Sequence, residues 1–369
     1  MSFSLAALSA SGPSDFGTLG QLIADNAIVK QRLDKLTAQA SSGLVANTLA
    51  GLGGPQATQS LDLNAEVGHL QTAQNNISAA SGAMDLTQTA VGQITQIATS
   101  FYAQLNNLNG LDPQNVDTLA ASARSALQQV AGLLDSQNGS AYVFAGQDTA
   151  NPPVPDPNNI TTSGFFTQIG AAVAGLATNG AAATMSSIIA TGASNAAGTS
   201  PFSTALSQPA ATVRALQTSV DVGGGQQISY GLLASANTSP SIPTPAGVSS
   251  TGSYTRDVLA SLAAIGSLSS AQSASANFQP FVVSVQATLD NAISAMNVDA
   301  GVQGNIQSGL QSTATELGTT QTALTQQVSS LQDVNMAATL SNLSLVQTQL
   351  QASYQLIAGM SSLTLAKYI

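Results

Sequence analysis

From Leu63 onward an apolar residue returns every seventh position: Leu63, Leu70, Ile77, Met84, Val91, Ala98 and Leu105. A second series follows three residues later at Ala73, Ala80, Thr87, Ile94, Phe101 and Leu108. Paired series at 3-4 spacing draw one stripe along a helix, and a helix with a stripe that long packs against another in coiled-coil fashion. About 50 residues at 1.5 Å rise make a rod of roughly 75 Å. A third helix is expected from Pro113 to Asp135, with Val116, Ala120, Ala123, Leu127, Val130 and Leu134 on one face and Pro113 in its first turn. Near the C-terminus Leu310, Leu317, Leu324 and Leu331 repeat the seven-residue spacing. The phase then slips before Met336, which predicts a break.

Both ends carry the same pattern on a smaller scale. Leu19, Leu22, Val29, Leu33, Leu36 and Ala40 follow the heptad with Asn26 inserted, and Gly43 is placed as a C-cap. Met336, Leu340, Leu343, Leu350, Tyr354 and Ile357 do the same with Gln347 inserted. Each stripe needs a partner to bury it, so the termini are expected to meet each other or the termini of other copies. We take Leu19, Leu22, Val29, Leu33, Leu36, Met336, Leu340, Leu343, Leu350, Tyr354 and Ile357 as the assembly seam. Alone, such helices are marginal in water.

Between the helical flanks the pattern changes. Nine of the 13 prolines lie from Pro152 to Pro245, which breaks helices there. Ala141 to Gly146 reads as a short strand, and Val220 to Leu232, with Gly223, Gly224 and Gly225 at its centre, as a hairpin. The Ala-, Gly-, Ser- and Thr-rich stretch 170–200 has no resolved period. The expected fold is mainly α: a long coiled-coil rod formed by the N- and C-terminal segments, with a β-rich inserted middle domain. Its parts are 1–45 and 331–369 (terminal coiled-coil helices), 46–150 and 253–330 (the helical rod), and 151–252 (a variable β-containing domain).

Charge narrows the function. The chain has 17 acidic and 7 basic residues, a net charge of −10, and a charged fraction of only 7%. Few cations are available to neutralise phosphates, so nucleic acid is not an expected partner. Lys30, Arg32 and Lys35, with Asp34 among them, read as a solvated helix face. Residues 300–369 carry only Glu316, Asp333 and Lys367 as charged side chains. Helices flanked by Gln, Ser and Thr can be enclosed by neighbours without stranding a buried charge, which would cost several kcal/mol. No cysteine is present. No run reaches the ~18 apolar residues of a membrane span, and with the first lysine at residue 30 no cleaved secretory signal is expected.

Candidates for catalysis are few. His69 is the sole histidine and sits inside the longest heptad helix. Asp62 and Glu66 share its face, a weak metal set beside the ordinary reading of a polar surface. Gly223 to Gly225 lack the Lys and Ser/Thr of a phosphate loop. Asp148, Asp156 and Asn158 lack calcium-loop spacing. No enzyme, no cofactor and no metal site is expected.

Four segments carry a resemblance. Leu36 to Gly43 (LTAQASSG) resembles the "LSSG" turn after the first helix of the bacterial flagellin superfamily. Tyr142 to Gly146 (YVFAG) resembles the strand that leaves the helical domain in its hook–filament junction branch, the hook-associated protein 3 type. Leu331 to Ala337 (LQDVNMA) resembles the "DVD-x-A" stretch before the terminal helix, with Asn335 replacing the last Asp. The ending, Leu350 to Tyr354 and Leu363 to Ile369, resembles the junction-type ending. An acidic "PSDDP" turn is replaced by Leu49 to Pro55. The resemblance covers about 15–150 and 253–369. It implies an extracellular structural subunit of the flagellum, exported through the flagellar type III pathway. It implies as partners other copies of itself, a neighbouring hook-associated protein, flagellin, and an export chaperone on the C-terminal helix. A divergent filament-forming flagellin is the alternative reading, and a secreted adhesin with a ligand-binding middle domain a further one.

Overall fold

The computed structural model describes residues 15–108, 113–239 and 243–366. In chain order the elements are α1 (Asp15–Ser42), α2 (Gly54–Asn106), α3 (Pro113–Leu134), β1 (Gln137–Asn138), β2 (Ala141–Tyr142), α4 (Gly164–Ala174), α5 (Leu176–Asn179), α6 (Ala181–Gly192), α7 (Ala210–Arg214), β3 (Thr218–Asp221), β4 (Gln227–Tyr230), α8 (Tyr254–Gly266), α9 (Ser270–Ser273), α10 (Phe278–Gln332) and α11 (Met336–Ala366). The fold is mainly α. The chain forms two compact units, Met1–His69 with Thr319–Ile369, and Leu70–Gly318.

In the unit Leu70–Gly318 the heptad positions of α2 are the buried ones. From Leu70 to Leu108 every residue of both series is in the interior, Thr87 included. Thr87 answers its buried hydroxyl by donating to the carbonyl of Ala83, 2.7 Å away, which is how a polar residue sits in such a stripe without cost to the core. α10 runs antiparallel beside α2. Gln307 accepts from Gln88 at 3.0 Å and donates to Asp85 at 2.6 Å, and Gln286 donates to Asn106 at 2.9 Å. Two of these three ties join neutral amides, and the third sets an amide on the Asp85 carboxylate.

α8 is the centre of this unit. All 13 of its residues are buried, and α3, α4 and α6 pack around it. From Val258 to Ile265 it is apolar but for Ser261, a run that is stable only in such an enclosure. A second, smaller core joins Ile77, Ala80 and Met84 of α2 to Leu310 of α10 under Val220 and Val222 of the hairpin.

The β structure is smaller than the expected β-rich middle. β3 and β4 pair antiparallel from Thr218↔Tyr230 to Asp221↔Gln227, and the turn holds Gly223, Gly224 and Gly225 at φ of 96°, 62° and 76°, values that disfavour any side chain. The strand read at Ala141–Gly146 is limited to Ala141–Tyr142, paired with Gln137–Asn138. Beyond it Phe144 and Ala145 turn into the core, and the Phe144 carbonyl accepts from Ala234 N–H at 3.0 Å. The stretch 164–192 is helical: Phe165, Ile169, Val173, Leu176, Met185 and Ile188 are buried against α8 and its neighbours. The segments 231–239 and 243–251 are fastened to α10 by side chains of one face. Gln303 exchanges two hydrogen bonds with the Gly231 backbone (3.1 and 3.0 Å), Asp299 accepts from Thr238 and Ser239 N–H (2.8 and 3.0 Å), and Thr288 donates to the Ser249 carbonyl (2.8 Å).

Candidate assembly surface

The unit Met1–His69 with Thr319–Ile369 is built on the pairing of α1 with α11. Along α1 the half-buried residues are Leu22, Asn26, Val29, Leu33, Leu36, Gln39 and Ala40, which is the heptad stripe. Lys30, Arg32, Asp34 and Lys35 lie on the exposed side. Leu19 lies in α1, and its side chain is outside the described residues.

On α11 the inward face follows a different phase from the one the leucines suggest. Thr339 and Val346 are buried and Leu343, Leu350, Ser353 and Ile357 half-buried, a 4-3-4-3-4 series. Leu343, Leu350 and Ile357 therefore share the α1-facing stripe. Met336, Leu340 and Tyr354 stand on the exposed flank, Tyr354 at 53%. The opposite flank shows Leu345, 66% exposed, and Leu356. Thr339, Val346 and Ser353 were not among the sequence candidates. Stepping seven residues from Leu343, Leu350 and Ile357 and three to four either side would have reached them.

The two helix ends are locked by backbone. α1 stops at Gly43, whose φ of 74° suits a residue without a side chain. Leu44 then pairs antiparallel with Asp333, in the break between α10 and α11. Val45 N–H donates to the Gln332 carbonyl at 2.7 Å and Val334 N–H to the Gly43 carbonyl at 2.9 Å. Gln39 reaches across to the Val45 carbonyl at 2.8 Å, and Gln332 donates to the buried Ser60 hydroxyl at 2.6 Å.

This pairing leaves a surface unfinished. No α1 residue with a described side chain is fully buried. Asn26 holds a buried side-chain oxygen with no hydrogen-bond partner among the described residues. α11 contains no Asp, Glu, Lys, Arg or His over its 31 residues, so both its exposed flanks are free of charge. Asp62, Glu66 and His69 are exposed on α2, and no group of three potential metal ligands occurs among the described residues. No helix among them is long and apolar enough to cross a membrane.

Residues 286–369 match the family model of the bacterial flagellin C-terminal helical region. This supports the flagellin family. The match takes in all but the start of α10 and the whole of α11, the helix whose uncharged flanks form the unfinished surface. No curated protein matches the chain. Flagellins are structural proteins of the extracellular bacterial flagellum and assemble with copies of themselves, a role that agrees with exposed, uncharged, apolar helix flanks.

Proposed function

We propose that this chain is a self-assembling adaptor between hook and filament of the bacterial flagellum. One observation carries the assembly part: α11 is uncharged and apolar on two flanks that α1 leaves uncovered. Several neighbours can bury such a helix without desolvating a charge. In this reading residues 1–45 and 331–369 line the inner tube, 46–150 and 253–330 form the surrounding rod layer, and 151–252 faces solvent.

The junction position rests on sequence, on the Tyr142–Gly146 segment and the Leu363–Ile369 ending. A neighbouring hook-associated protein and flagellin are then the contacts above and below, and an export chaperone covers α11 before secretion. Deletion of the gene should give hooks without filaments and filament protein shed into the medium. Normal filaments on the deletion strain would overturn the adaptor role. The match to a flagellin C-terminal region favours a second reading, a divergent filament subunit. Purified flagellar shafts made mainly of this chain would establish that one instead.

A further inference from the structure

α8 begins at Tyr254, after Ser253. The first N–H groups of a helix have no partner inside it. Here Asn237 accepts from Tyr254 N–H at 2.9 Å, and the Ser253 carbonyl from Asp257 N–H at 2.9 Å. The N–H groups of Thr255 and Arg256 have no acceptor among the described residues. Ser253 makes no side-chain cap. It is 4% exposed, and its hydroxyl is buried without a partner.

Arg256 rises from the same turn, 5% exposed. Its guanidinium donates to the carbonyls of Ser235 (2.9 Å), Gly192 (3.0 Å) and Ser194 (3.3 Å) and to Asn195 Oδ1 (2.8 Å), and lies 5.0 Å from the Phe202 ring. Those bonds use four of five N–H groups. Burial pulls its pKa down to about 10, with no carboxylate opposing the fall. Asp257, next along the helix, turns its carboxylate to Ser250 Oγ (2.6 Å) and Thr251 N–H (2.7 Å), and burial pushes it above the usual carboxylate range. Beside this turn is a cavity of about 80 Å³, lined among others by Ser253, Arg256, Asn195, Thr251 and Gln208.

A buried cation without a carboxylate partner, the first turn of a helix and the unpartnered Ser253 hydroxyl border the same space. Each favours negative charge. We propose that this cavity binds one small inorganic anion, a halide or phosphate, on the Ser253 hydroxyl and the remaining Arg256 guanidinium N–H, beside the first turn of α8. Water could answer the donors but would leave the charge uncompensated. The inference is independent of the flagellar reading.

The test uses the full chain in sodium gluconate, whose anion is too bulky for the cavity. Chloride, bromide or phosphate replaces gluconate at constant ionic strength while the unfolding temperature is followed. The expected result is a saturating rise of several degrees with halide or with phosphate, lost in Ser253→Ala and in Arg256→Lys, which keeps the charge but not the fork. Crystals grown in bromide should show an anomalous peak within about 3.5 Å of the guanidinium and the Ser253 hydroxyl, or those grown in phosphate a tetrahedral anion there. Equal unfolding temperatures in all anions, a rise that Ser253→Ala leaves unchanged, or only water in the cavity of both crystals would overturn the proposal.

Discussion

Leu44 and Asp333 are antiparallel partners in an isolated bridge, the one just past the end of α1 and the other just before the start of α11. The bridge joins two breaks that lie 289 positions apart in sequence. It fixes where the two terminal helices start their pairing, and so sets which residues of α11 face α1 and which remain exposed.

Removing the Val334 N–H tests that role. Val334→Pro deletes the 2.9 Å bond to the Gly43 carbonyl, and Asp333 is already in the extended pairing that precedes a proline well. The loss of one such bond is worth about 1 kcal/mol. Faster amide exchange is expected throughout α1 and α11, with residues 70–318 unchanged. Val334→Ala, which keeps the N–H, should exchange like the parent.

The two faces of α11 should separate in mutation. Val346 is 1% exposed on the α1 side. Val346→Asp loses about 1.5–3 kcal/mol of burial and adds a buried charge, so the monomer should lose α1–α11 protection in hydrogen exchange. Tyr354→Asp, on the open flank, should leave monomer stability within about 0.5 kcal/mol and abolish assembly judged by sedimentation. Equal assembly of Tyr354→Asp and the parent would remove that flank from the interface.

The contrast between α2 and α11 shows what sequence made legible. In α2 one apolar stripe stands among polar neighbours, and its phase can be read directly from Leu70 to Leu105. In α11 Leu340, Leu345, Leu356 and Tyr354 lie off the α1-facing stripe, while Thr339 and Ser353 lie on it. With apolar residues all round, periodicity identifies a helix but not its buried side. Residues 164–192 hid their helices for a related reason, since small Ala, Gly, Ser and Thr residues outnumber the Ile169, Val173, Met185 and Ile188 anchors. The aromatic run at Tyr142–Phe144 has strand propensity, but burial of Phe144 in the helical core decided its path. The polar turn at the start of α8 has no sequence signature, because its partners come from residues 192–195 and 235–237.

Acid should stabilise the unit Leu70–Gly318. Asp135 accepts from Val154 N–H at 2.9 Å, yet burial dominates and lifts its pKa from 3.8 to about 6. Its folded-state pKa is above the unfolded one, so the protonated form is favoured by folding. The gain appears as pH falls through about 6 and is complete below 3.8. Asp135 is half-exposed, and after solvent screening the gain is ~1 kcal/mol, or about 2–4 °C in a unit of this size. Asp257 and Asp299 are shifted upward as well, by burial, and act with the same sign. Asp135→Asn should flatten part of the rise between pH 7 and 4, and an unfolding temperature that falls over that range would contradict the assignment.

Gly146 is the backbone position where a single methyl group should cost most. Its φ is 65°, and an added Cβ would run into the Leu216 carbonyl oxygen and the Leu233 side chain. Neither can yield freely, because the Leu216 carbonyl accepts from Gln147 N–H at 2.8 Å and Leu233 is in the core. The conformational penalty alone is about 1–2 kcal/mol, and the clash adds a further 1–3 kcal/mol of overpacking. Gly146→Ala should therefore lower the unfolding temperature of residues 70–318 by several degrees, read by calorimetry, and detach the 215–217 segment in hydrogen exchange. Gly139 also has a positive φ of 65° but has open space around its Cβ position. Gly139→Ala should cost only the conformational part, so the difference between the two variants isolates the packing contribution at Leu216.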